Sequence, residues 1–423
     1  MNLNTHCRVV ITTGCLLLGL ATARAQALTL AEAEQAALRA DPKLEALHAE
    51  RRAFEHDAIA AAQLPDPVLA LGTTSLPVPE FDPRPEPMAQ LQVGIEQRMP
   101  ARSLRRARAR AEQASAALVD VRIRLRSHEV RRSIRHLWAT LARSLEQLEV
   151  AEARQALLER YQDAVRDGVD NGRLNQQDLL DARSRLIRVQ AELARLRSGL
   201  AAARAELREW LPDVELPERF DATGLQALAS GPIDTDALFR HPAVELARAG
   251  SERTEADVAV ARAAFDPGWS WQLGLGRRVG TTPIGAPSET LLNARVTIDL
   301  PLFTGARQSA RLAAARERLS AAEAGVTGVQ RELLGQWRAM QAQQMEFSRL
   351  LTLYRDEIEP ASRDAAQAAR DRYRNGSVPL EAVLAAELEV LDVTGERVET
   401  ERRLDQATIE LAWLAAGMQG EPQ

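Results

Sequence analysis

The sequence predicts a mainly α fold with a small β part: a tandem repeat whose copies each carry one β-hairpin and one long antiparallel coiled-coil helical hairpin. Three observations predict it. "ALRADPKLEALHAERRAFEHDAIAAAQLPDP" from Ala37 returns as "ALFRHPAVELARAGSERTEADVAVARAAFDP" from Ala237, with Pro42 over Pro242, Asp57 over Asp257 and Pro67 over Pro267. Four segments alternate apolar residues with polar ones or glycine, which is the period of a strand. Four long runs place apolar residues three and four apart, which is the seam of a left-handed coiled coil.

In chain order, residues 1–25 read as a secretory signal, with an apolar run from Val9 to Leu20 and small residues that put cleavage near Ala25 or Ala27. Both cysteines, Cys7 and Cys15, lie in this segment. The exported chain is therefore expected to hold no thiol, disulfide or thiolate metal site. Lipid attachment at Cys15 is disfavoured because the apolar run continues past it as "LLLGL".

The first repeat spans 26–212, with strands at about 67–75 and 88–98 and long helices at about 103–167 and 176–211. A short helix opens it, where Thr29 and Glu32 have capping-box spacing, and a helix of about six turns begins at Pro42, a first-turn position that costs proline no hydrogen bond. A linker covers 213–233. The second repeat spans 234–417, with strands at about 268–278 and 290–300 and helices at about 306–374 and 379–415, and 418–423 form a tail.

At 1.5 Å per residue the first long helix reaches on the order of 95 Å, too long for a globular core. Along it Val130, Ile134, Leu137, Leu141, Leu145 and Leu148 step by four and three, and Leu186, Val189, Leu193, Leu196, Leu200, Ala203 and Leu207 do so in the helix that follows. Each helix pair turns at an Asn-Gly, where Gly172 and Gly376 supply the positive φ that ends a helix.

Heptad helices alone fit a periplasmic coiled-coil scaffold; the extended segments argue for more. In "WSWQLGLG", Trp269, Trp271, Leu273 and Leu275 share one face and Ser270, Gln272, Gly274 and Gly276 the other. The partner segment sets Leu292, Ala294, Val296, Ile298 and Leu300 against Asn293, Arg295, Thr297 and Asp299, and Leu91, Val93 and Ile95 alternate with Gln90, Gln92 and Gly94. Such segments of about ten residues suit a transmembrane barrel, with lipid on one side and a wet lumen on the other. Trp269 and Trp271 fit an aromatic girdle. Four strands cannot close a barrel, and open edges in lipid leave backbone groups unpaired, so several copies must share one. An aqueous passage needs about twelve strands or more, hence three chains or more.

Composition excludes other classes. The net charge is −5 and Lys43 is the only lysine among 54 basic residues, so no bulk basic footprint marks a nucleic-acid partner. The exported histidines, His48, His56, His128, His136 and His241, are scattered and do not form a metal-ligand pattern. No nucleophile elbow or phosphate-cradling glycine loop is present, so neither a cofactor nor an enzymatic activity is expected.

With these features in place, the sequence resembles the TolC family of outer-membrane efflux proteins. The turn pattern Gly-x-apolar-x-x-x-acidic-apolar-apolar-x-Ala stands here as "GRLNQQDLLDA" from Gly172 and, without its acidic residue, as "GSVPLEAVLAA" from Gly376. The resemblance implies a homotrimer with one twelve-stranded barrel in the outer membrane and an α-helical barrel crossing the periplasm. It also implies a periplasmic adaptor and an inner-membrane pump at the helical tips, with this chain as the passive exit duct of a tripartite system or of type I secretion. By position it makes Asp178, Asp181 and Tyr373 gate residues, with a Tyr373–Asp178 hydrogen bond between neighbouring hairpins. Ala382 and Ala385 replace the second pair of acids, leaving Glu381 nearby. Asp178 also stands three residues after Asn175, where it can serve the helix cap instead. Drug, metal and protein cargo are left open.

Overall fold

The computed structural model describes residues 28–76, 78, 81–83, 86–226, 228, 235–279 and 289–415. The segment read as a signal, the tail and parts of the loops that join the two strands of each β-hairpin lie outside them. The first repeat runs α1 (Leu30–Ala40), α2 (Pro42–Ala62), β1 (Val68–Thr74), β2 (Gln90–Met99), α3 (Arg102–Asp170) and α4 (Gln176–Trp210). After the short α5 (Thr223–Gln226) the second repeat runs α6 (Thr235–Leu238), α7 (Pro242–Ala263), β3 (Trp269–Arg278), β4 (Thr290–Ile298), α8 (Gln308–Leu353), α9 (Glu359–Arg374) and α10 (Leu380–Leu414).

Local chemistry sets the helix starts. The Thr29 hydroxyl accepts from the Glu32 amide while the Glu32 carboxylate accepts from the Thr29 amide, so the capping box forms and α1 begins there. Asp41 caps α2 ahead of Pro42, and His241 takes the same place ahead of Pro242 in α7.

The predicted seams are the cores. Val130, Ile134, Leu137 and Leu141 are buried with Leu207 and Leu211, and α1 lies on them through Ala33 and Ala37. Trp138 fills the centre of this cluster, donating its indole N–H to the Asp221 carbonyl at 2.9 Å and meeting Phe220 edge-on at 4.8 Å. Further along, Val189 and Leu193 pack with Ala151, Leu158 and Leu384. Leu238, Val244, Leu333 and Leu414 form the corresponding cluster of the second repeat.

One helix differs from its sequence reading. The stretch expected as a single helix over about 306–374 contains a π-helical turn at Tyr354–Ile358. Pro360 explains it: proline has no N–H to donate and its ring crowds the carbonyl one turn back, so a wider turn removes both conflicts.

Buried charge ties this turn to the rest of the chain. Arg143 of α3 donates to Glu401 at 2.5 Å and to Asp405 at 2.7 Å, both on α10. Glu401 also accepts from Arg355 of the π-turn at 2.7 Å and from Arg397 at 2.8 Å, and Arg397 reaches Glu359 at 2.6 Å. Burial works to raise the Glu401 carboxyl, but bonds from three arginines outweigh it and hold it below its ordinary value. For Asp405, burial outweighs the single bond from Arg143 and the carboxyl is pushed up.

Candidate channel wall and periplasmic tip

The four strands form one antiparallel sheet in the order β1-β2-β3-β4. The register puts Leu71 opposite Val93, Val93 opposite Leu275 and Leu275 opposite Leu292, and one row further along Leu69, Ile95, Leu273 and Ala294 line up. Two further rows join Trp271 to Val296 and Trp269 to Ile298. A single apolar face results, and it is uncovered: Leu71 is 74% exposed, Leu292 67% and Val296 65%. An apolar patch of this extent requires a partner surface or lipid.

The other face carries Gln92, Gln272, Asn293 and Arg295, with Gly94 and Gly274 directly paired at its centre. A Cβ on Gly94 would stand 3.2 Å from the Leu273 carbonyl oxygen, and one on Gly274 3.2 Å from that of Val93. Glycine here lets two backbones approach closely. Among the described residues β1 and β4 pair on one side only, leaving two open edges.

At the opposite end lie the two helical turns. Gly172 and Gly376 both have φ +69°, and their amides donate to Val169 and Tyr373 carbonyls at 2.9 Å. Gly168, which the sequence reading passed over, is fixed by packing: a Cβ there would fall 2.6 Å from the Leu174 side chain. Asn175 caps α4 by accepting from Gln177 and Asp178 amides, and Asp178 Oδ2 accepts from the Asn175 amide at 2.9 Å. The capping role of Asp178 is thus present. Asp181 and Tyr373 are exposed, and within one chain Tyr373 and Asp178 are not bonded to each other. Glu381 accepts from Arg185 of α4 at 3.0 Å, joining the tips of the two hairpins. Tyr161 sits beside this pair, its phenol pushed above its ordinary value by burial and by Glu381. Neither Arg185 nor Tyr161 was legible as a tip residue, because their partner lies across a long sequence separation.

Among the described residues no helix is long and apolar enough to cross a membrane, and no cluster of side chains is arranged to hold a metal ion. His136 Nε2 is within hydrogen-bond distance of Glu410, at 2.6 Å.

Residues 235–417, the whole second repeat, match the family model described as "Outer membrane efflux protein". The second repeat belongs to the outer membrane efflux protein family. The first repeat carries the same order of elements. The fold is similar to that of solved outer-membrane channels. The chain superposes on CusC with a TM-score of 0.76 at 16% identity, covering 92% of each chain. On VceC of Vibrio cholerae the TM-score is 0.73 at 18% identity, covering 91% of this chain and 95% of that one. On MtrE of Neisseria gonorrhoeae in its open state it is 0.68 at 16% identity, over 93% and 90%. No curated protein matches the chain at a significant level. The second repeat thus carries the outer membrane efflux family's match, and the described chain as a whole has the fold of outer-membrane channels.

Proposed function

We propose that three copies pool their strands into one twelve-stranded barrel and act as the passive exit duct of an efflux system, with a periplasmic adaptor and an inner-membrane pump engaging the helical tips. The observation that carries this reading is the sheet: an uncovered apolar face beside two open edges. Each unpaired backbone group in hydrocarbon costs several kcal/mol, and closure with β1 of a neighbour against β4 removes both edges. Twelve strands leave a lumen wider than the eight whose side chains fill their own interior. The native mass of the protein extracted from the outer membrane tests this: a trimer is expected, and a monomer would sink the reading.

At the tips, the gate is a hydrogen bond from the Tyr373 hydroxyl of one hairpin to Asp178 of its neighbour. Asp178 gives one oxygen to its cap and keeps the other for this bond. Tyr373→Phe leaves the cap intact, so single-channel conductance should rise; unchanged conductance would remove Tyr373 from the gate.

A further inference from the structure

Arginine is concentrated where the sheet meets the long helices. From Gln97 to Ala111 the chain has Arg98, Arg102, Arg105, Arg106, Arg108 and Arg110 and no acidic residue, although its net charge is −5. The second repeat does likewise, with Arg307, Arg311 and Arg316 and no acid from Leu300 to Arg316. A duplicated, acid-free basic stretch at one level of the molecule points to an anionic partner at that level.

The structure sorts these side chains. Arg98 lies on the polar face of the sheet by strand alternation, next to Glu96 at 3.7 Å. Arg105 is turned toward α2, donating to the Ala62 carbonyl at 2.7 Å. Arg102, Arg106 and Arg110 recur every fourth residue, so they form one stripe; all three are exposed and have no ion-pair partner among the described residues. α3 packs on two other sides: Ala107, Ala111 and Ser115 are buried, with Arg253 of α7 bonded to Ser115, and Ala109 and Ala116, on the flank of the stripe, are buried toward α2. At about 100° per residue the stripe falls in the wider of the two arcs between those sides, and in a closed ring of helices, whose neighbours converge on the lumen side, the wider arc points outward.

The height of the stripe fits a membrane boundary. Met99 pairs with Trp269 and Trp269 with Ile298, the last row of the apolar face. α3 starts three residues after Met99. At 1.5 Å per residue the stripe covers roughly 12 Å below that row. The headgroup layer is about 5–8 Å deep on each side of the hydrocarbon, within reach of arginine side chains that snorkel toward it.

We propose that Arg102, Arg106 and Arg110 form a binding site for the headgroups of anionic phospholipids in the periplasmic leaflet, seating the barrel at a fixed depth. The site rests on the trimeric-barrel reading, since only a closed ring turns the stripe outward. Each arginine near an anionic surface contributes modestly, and phosphate accepts guanidinium bonds in bidentate fashion.

The test is native mass spectrometry of the detergent-extracted protein titrated with phosphatidylglycerol or phosphatidylcholine, with and without inorganic phosphate. The wild-type trimer should retain phosphatidylglycerol in preference, and free phosphate at equal concentration should not displace it. Arg102→Gln/Arg106→Gln/Arg110→Gln should lower that retention by about fivefold, equivalent to about 1 kcal/mol, while the matching triple lysine variant keeps it. Equal retention by wild type and glutamine variant, or displacement by phosphate, would overturn the lipid site. So would altered ion selectivity of the glutamine variant in planar bilayers, because it would place the stripe in the lumen. A monomer in the wild-type spectrum would overturn the barrel reading itself; a trimer without lipid preference overturns only the site.

Discussion

The two long arms of the molecule are built on one plan and differ in how they are held. The first is α3, 69 residues of unbroken α-helix. The second is α8, the π-turn and α9, interrupted at Tyr354–Ile358 ahead of Pro360. Aligning Asn171 with Asn375 at the turns puts Ala156 where the second arm has Pro360. A single proline therefore separates a straight arm from a jointed one, and the joint is the place where Arg355 reaches the buried Glu401. A duplicated scaffold can keep its architecture while one copy acquires a local irregularity, provided new polar bonds satisfy the groups that the irregularity sets free.

The same contrast appears at the helix caps. Asp41 caps α2 through the Lys43 amide at 2.8 Å and pairs with Arg126 at 2.7 Å. Its counterpart His241 is fully buried; its Nδ1 accepts from the Ala243 amide and its Nε2–H donates to the Trp413 carbonyl at 3.2 Å. Burial lowers the His241 imidazole from 6.5 to about 4, so it caps as a neutral ring where Asp41 caps as an anion.

Breaking the joint's anchor should have the largest effect. Glu401→Gln leaves Arg143, Arg355 and Arg397 without their shared carboxylate, and removing one partner of a buried ion network costs about 3–5 kcal/mol. Chemical unfolding should show this loss, and a change within 1 kcal/mol would mean that the cluster is solvated and does not hold the arm.

Next comes an exchange of prolines. Ala156→Pro in the straight arm should destabilise it by about 3 kcal/mol, because no widened turn is prepared there. The reverse change, Pro360→Ala, should slow amide hydrogen exchange over residues 354–360 and stabilise the second arm by about 1 kcal/mol. Faster exchange would show that the π-turn has a cause other than Pro360.

The cap contrast is the finest test. Because the folded His241 takes up its proton less readily than the unfolded one, its contribution is complete above pH 6.5 and is lost as pH falls toward 4. The total is at most roughly 3 kcal/mol. His241→Asn keeps a capping side chain and removes the titration, so its stability should be flatter than wild type across that window. Parallel pH profiles would exclude His241 as the titrating group.

Much of the tip and the wall was legible because it depends on neighbours in sequence. Gly172 and Gly376 were readable from the turn, and the capping alternative for Asp178 from its distance to Asn175. The faces of β3 and β4 followed from strict alternation, whereas β1 was hard to read because both its faces are small or apolar. The Arg143–Glu401 bond was invisible, since its partners are 258 residues apart. Pro360 was in plain view, yet a single helix over about 306–374 was expected, because residue spacing does not mark the π-turn that accommodates the proline.

The sequence by itself determined the duplication, the helical seams, the two Asn-Gly turns and the two-faced strands, since each is written in residues within a few positions of one another. Only the tertiary structure decided that the two β-hairpins join through β2 and β3 into one sheet with open outer edges, and that α10 is locked to α3 by buried charge. Those outcomes depend on which distant surfaces meet, and local periodicity fixes the character of a surface without naming its partner.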